Sequence, residues 1–105
     1  MIESEERVFT ALADTTRRQL LTILALSSPK TATQLTHDFP ITRQGIMKHL
    51  DLLARAGLVQ VQTKGRQKLY LFNPESLQAA SAWIETIGKQ WDERLLRLKN
   101  LVEDE

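Results

Sequence analysis

Cysteine is absent from the 105 residues. That absence excludes a disulfide framework, a thiol nucleophile, an iron–sulfur cluster and any thiolate metal site. Glycine (4) and proline (3) are scarce, and no repeat or biased tract interrupts the chain, which sets aside collagen-like, repeat and wholly disordered classes. No apolar stretch approaches the roughly 20 residues of a membrane span, so no membrane partner is expected. The opening Met-Ile-Glu-Ser-Glu-Glu has neither a basic nor an apolar segment. No signal peptide is therefore expected, and a cytoplasmic location is. What is present is the balance of a globular protein, 42% hydrophobic and 26% charged. The length suits one domain over residues 1–105. A chain this small buries only about two-thirds of its unfolded surface, so a second subunit would help it.

The net charge of +1 conceals an asymmetry. Residues 1–13 carry −2, residues 14–72 carry +6 and residues 73–105 carry −3. A basic middle between acidic ends suits a polyanion, although a solvated charge pattern without a partner would look the same.

Hydrophobic spacing predicts a first short helix over 3–13, with Val8, Phe9 and Leu12 apolar. Asp14 caps a second helix from Thr15 to about Ser27, its buried stripe being Leu20, Leu21, Ile23 and Leu24. Thr31-Ala32-Thr33-Gln34 is a capping-box pattern opening a third helix to about Asp38, with Ala32, Leu35 and Phe39 inward. Thr42 caps a fourth helix to about Ala56, where Gly57 supplies a left-handed stop. The period then falls to two. Leu58–Gln62 and Gln67–Phe72 read as a hairpin around the turn Lys64-Gly65-Arg66. Asn73-Pro74 opens a last helix that runs nearly to the end, with Leu77, Ala80, Ile84, Ile87, Trp91, Leu95, Leu98 and Val102 on one side. Gly88 either weakens that helix or permits a close crossing. The order α-α-α-α-β-β-α is a mainly α (α+β) winged helix-turn-helix, with the helix-turn-helix at 31–56 and the wing at 58–72.

At 100° per residue, Ile46, Leu50 and Leu53 face the core, while Gln44, Lys48, Asp51 and Arg55 face away. Such a polar first half is what enters a major groove. Arg43 can reach guanine O6 and N7, and Gln44 can pair with adenine N6 and N7. The Thr42 hydroxyl and the free amides beside it suit a phosphate. Gly45 would permit close approach of the preceding helix or of DNA. Lys64, Arg66 and Lys68 at the wing tip suit a phosphate backbone or a narrow minor groove. An ordinary surface helix and a solvated hairpin would each look similar taken singly, but together these features are far more specific.

Ala11-Leu12-Ala13-Asp14-Thr15-Thr16-Arg17-Arg18-Gln19-Leu20-Leu21 resembles the "ALADPTRRxIL" opening of the ArsR family of bacterial winged-helix repressors. Ile41–Leu50 resembles its recognition helix, Leu53-Ala54-Arg55-Ala56-Gly57-Leu58-Val59 its "L-x-x-A-G-L-V" exit, and Lys64–Tyr70 its "x-G-R-x-x-x-Y" wing. The resemblance covers roughly residues 7–73 and implies a homodimer on an imperfect palindromic operator. Thr15 replaces the usual proline and Met47 the usual serine, where a thioether could instead meet a thymine methyl. The family's metal ligands are missing, since only His37 and His49 exist and no cysteine does. His37 reads as a solvated helix end, and His49 as a DNA-contacting or helix-bracing residue. The resemblance is thus to the subgroup that senses no metal, and no cofactor is expected.

The sequence-level reading is a homodimeric DNA-binding transcription regulator that represses. Arg43, Gln44, Met47, Lys48 and His49 read or brace the site, with Thr42 at the helix start. Lys64, Arg66 and Lys68 hold phosphates or the minor groove, and Thr16, Arg17 and Thr33 contact the DNA backbone. Val8, Phe9, Trp83, Ile84, Ile87, Trp91, Leu95 and Leu98 form the dimer interface. The alternative is a winged-helix protein-interaction module using the basic face for an acidic partner. A small-molecule or protein effector is left open. No catalytic constellation is present, so an enzyme is not expected.

Overall fold

The computed structural model describes residues 2–103, with side chains from Glu5 onward. Its elements are α1 (Ile2–Leu12), α2 (Thr15–Leu26), α3 (Ala32–Thr36), α4 (Arg43–Arg55), β1 (Val59–Lys64), β2 (Gln67–Phe72) and α5 (Glu75–Glu103). The expected order holds.

Local chemistry sets most of the boundaries. The Asp14 carboxylate accepts from the Arg17 amide at 3.0 Å and starts α2. The capping box of α3 is complete: Thr31 Oγ1 accepts from the Gln34 amide at 3.1 Å, and Gln34 Oε1 from the Thr31 amide at 2.9 Å. This helix stops at Thr36, short of the expected Asp38. The amides of His37, Asp38 and Phe39 bond to carbonyls three residues back, tightening the chain ahead of Pro40. Thr42 Oγ1 accepts from the Gly45 amide at 3.1 Å and caps α4. Gly57 ends that helix at φ +78°, in the left-handed region.

The wing differs from expectation in two ways. Val59 pairs with Phe72 and Lys64 with Gln67, so only Gly65 and Arg66 form the turn. Gly65 takes φ +63° while Arg66 stays at negative φ, as in a two-residue turn with glycine first. A backbone bridge also joins Lys30 to Tyr70, through bonds of 3.1 and 2.8 Å. The linker after α2 thus adds one residue of pairing to the wing's root.

Leu20, Leu24, Leu35, Ile46, Leu50, Leu53 and Leu58 are fully buried where the first four helices meet the wing base. Ile23, expected inside, is only partly covered. At 100° per residue it is turned well away from the midline of Leu20, Leu21 and Leu24. Asn73 Oδ1 accepts from the Glu75 amide at 3.2 Å and starts α5. That helix then runs 29 residues without a break at Gly88. Among the described residues its early turns meet the rest of the chain, through Leu77, the buried Ala80 and Trp83. The radius of gyration is accordingly 18.7 Å, against about 13 Å for a compact domain of this length.

Candidate nucleic-acid interface

The first turns of α4 expose Thr42, Arg43, Gln44 and Lys48, while Ile46 and Leu50 anchor the helix in the core. A cleft of about 480 Å³ lies where α3, α4 and the wing converge. Thr33, Arg43, Met47, Arg66 and Lys68 line it, five residues from three elements that the sequence alone could only nominate separately. Thr31, Gln34, Gln67 and Tyr70 line it too, though none was nominated from the sequence as a DNA contact. Burial pushes the Tyr70 phenol above its ordinary value, with Arg43 acting in the opposite direction and Asp51 in the same one. Lys48 lies in a neighbouring depression beside Met47 and Lys68. Asp51, which would repel phosphate, is paired to Arg55 at 3.0 Å. Gln44 and Lys64 are exposed outside the lining of the cleft.

Gly45 has a different reason from the one its sequence position suggested. A Cβ there would stand 2.6 Å from Ile41 Cγ2, so the missing side chain makes room for the residue just before the cap.

The corner between α1 and α2 gathers Thr16, Arg17 and His49. The Arg17 guanidinium is directed at the end of α1: Nε donates to the Ala11 carbonyl at 2.8 Å and Nη2 to the Thr10 carbonyl at 3.0 Å. Arg17 was nominated as a DNA-backbone contact, but here it caps the negative end of a helix. Arg18 does the same for the Leu12 carbonyl at 2.6 Å. Thr16, nominated with Arg17, is half-buried, and its amide faces the Asp14 carboxylate. His49 is half-buried with Nδ1 3.5 Å from Arg17 Nη1 and 3.9 Å from Asp14 Oδ2. The Arg17 amide foremost holds the Asp14 carboxyl below its ordinary value; burial opposes this, and the Arg17 and His49 charges add to it.

The apolar stripe of α5 emerges from the core uncovered. Phe9 meets Trp83 edge to face, ring centroids 5.4 Å apart. Beyond that contact Ile84, Ile87, Trp91, Leu95 and Leu98 are 44–58% exposed in the single chain. Val8, nominated for an interface, lies instead in the chain's own core at 2% exposure, leaving no surface for a partner. No helix among the described residues is long and apolar enough to cross a membrane.

Residues 12–62 match the family described as a helix-turn-helix domain. An uncharacterized HTH-type transcriptional regulator of Bacillus subtilis, YuzN, is 39% identical over 89 residues, 78% of this chain and 97% of the relative. The transcriptional repressor SdpR of the same organism is 32% identical, over 73% of this chain and 84% of its own. An ArsR-like transcriptional regulator from Rhodococcus sp. RHA1 superposes with a TM-score of 0.86 at 35% identity, covering 98% of this chain and 94% of that one.

Proposed function

Because the chain belongs to the ArsR family of winged-helix, DNA-binding transcriptional regulators, a non-enzymatic class, we propose that its single domain acts as a homodimeric repressor, reading a palindromic operator with α4 and gripping the DNA backbone with the wing. The carrying observation is the cleft that brings Thr33, Arg43, Met47, Arg66 and Lys68 to one exposed basic face. Arg43 and Gln44, on the first turn of α4, reach base edges, where a side chain forming two hydrogen bonds discriminates by about 1–3 kcal/mol. Met47 lies one turn on and meets a thymine methyl. Thr33 and the Thr42 cap hold phosphates, as do Lys48, Lys64, Arg66 and Lys68. The homodimer is supported by the uncovered stripe on α5. A two-fold axis through that helix presents two α4 helices to half-sites about 34 Å apart. Repression is supported by the similarity to SdpR. No metal is needed, since the chain has no cysteine and two separate histidines.

A salt titration of two variants, on a selected operator and on random DNA, tests this reading. Gln44→Ala weakens the operator complex and leaves random DNA nearly unchanged. Lys64→Ala weakens both and lowers the salt slope by about one. The opposite pattern refutes the division between base reading and backbone grip. Salt-dependent capture of an acidic protein, without sequence preference on DNA, would favour a protein-interaction module.

A further inference from the structure

Arg17 stands where three helices meet. A guanidinium carries five N–H donors, accepts nothing and stays protonated. Two of those donors are committed to the Thr10 and Ala11 carbonyls at the end of α1. Another N–H, on Nη1, points to Nδ1 of His49 in the second turn of α4, 3.5 Å away. The Arg17 amide, at the start of α2, is held by Asp14. One side chain therefore links the end of α1 to the recognition helix and is itself anchored at the start of α2. Through Phe9 and Trp83, α1 in turn bears on the base of α5.

We propose that Arg17 is a positioning residue for DNA reading and not a DNA contact: it clamps α4 to the α1–α2 corner through Nδ1 of His49. This rests on the DNA-reading function proposed above. Because Arg17 can only donate, the nitrogen facing it presents a lone pair. The single proton of the neutral imidazole then sits on Nε2. Asp14 would select the other tautomer, with the proton on Nδ1, but its Oδ2 is farther, at 3.9 Å, and already accepts from the Arg17 amide. In a dimer built on α5, the angle between α1 and α4 sets the separation of the two recognition helices. Removing the clamp therefore lowers affinity for a two-half-site operator and spares binding that needs no fixed spacing.

The first measurement uses the unaltered full chain: long-range proton–nitrogen NMR correlations of the neutral His49 ring. The expected state is the neutral tautomer protonated on Nε2. A ring protonated on Nδ1 overturns the clamp, and no variant has to fold for that result. The second measurement is a salt titration of Arg17→Ala and Arg17→Lys, each first shown by thermal unfolding to be folded at the assay temperature. Both variants lose about tenfold on the operator, the loss of one charged hydrogen bond. Both keep the wild-type affinity and salt slope on random DNA. A slope lower by about one in Arg17→Ala, with both DNAs weakened, makes Arg17 a phosphate contact and overturns the proposal. So does wild-type operator affinity in Arg17→Lys, which keeps the charge and loses the planar fork. Wild-type chain without any operator preference would refute the DNA-reading function itself. Operator preference with a ring protonated on Nδ1 would refute only the clamp.

Discussion

Trp91→Glu should convert the protein to a monomer. Trp91 is 58% exposed on α5 and makes no core contact within its own chain. A tryptophan offers about 200 Å² of contact area, so about 115 Å² per copy is left for a partner. At about 25 cal/mol per Å² that is worth about 3 kcal/mol per copy, or about 6 kcal/mol for the two copies of a symmetric dimer. This is an upper figure, because association also orders side chains, yet it equals about four orders of magnitude in dissociation constant. Glutamate removes that area and adds a charge that would have to be buried without a partner. The control is Leu96→Glu. Leu96 is also 58% exposed, but five residues on it is turned about 140° away from Trp91 around the helix. Sedimentation velocity at micromolar concentration should show dimer for wild type and Leu96→Glu, and monomer with weakened operator binding for Trp91→Glu. A Trp91→Glu protein that stays dimeric at that concentration refutes the assignment of this face, as does dissociation by Leu96→Glu alone.

Leu50→Ala, at a fully buried position, should cost about 2–5 kcal/mol in denaturant unfolding. Gly57→Ala should destabilise by more than about 1 kcal/mol, since Gly57 has φ +78° and the new Cβ would collide with Ser76 Oγ. Adding Ser76→Ala should recover only the steric part. The depressed Asp14 carboxyl contributes stability that is present above the ordinary carboxylate range and lost as pH falls through its lower folded value. Thermal unfolding from neutral to acid pH should therefore show a shallower acid loss in Asp14→Ala than in wild type. Added zinc or a chelator should leave operator affinity unchanged in a mobility-shift assay, and a reproducible shift at stoichiometric metal would refute this.

The boundaries that were legible in the sequence are those set by short-range chemistry. The caps at Asp14, Thr31 and Thr42, the left-handed Gly57 and the Asn73 start of α5 are each fixed by residues within three positions. The period change after Gly57 marked the wing. What was hidden depends on distant partners. Arg17 is basic and lies near the start of a helix, so from sequence it suits a phosphate; only the folded corner brings the carbonyls of Thr10 and Ala11 to it. Val8 and Phe9 are adjacent and apolar, yet one enters the core and the other meets Trp83. Ile41 cannot be seen to need the space at Gly45 until the chain turns through Pro40 into α4. Among the cleft residues, Tyr70 lay inside a recognised wing motif, but its neighbours Thr31 and Gln34 carried only a helix-capping signal.

The Lys30–Tyr70 bridge makes the wing unequal along its length. Tyr70 is paired on both sides, to Val61 across the hairpin and to Lys30 behind it, whereas Lys64 and Gln67 have only each other. Amide hydrogens of Lys30 and Tyr70 should therefore exchange slowly with solvent, and those of Lys64 to Lys68 quickly. Ordering backbone costs about 1–2 kcal/mol per residue, so a DNA complex that must still only the tip loses far less than one that must order the whole hairpin. On the proposed reading the arm would arrive with its direction fixed, and Lys64, Arg66 and Lys68 would be left free to follow a phosphate chain whose path varies with sequence.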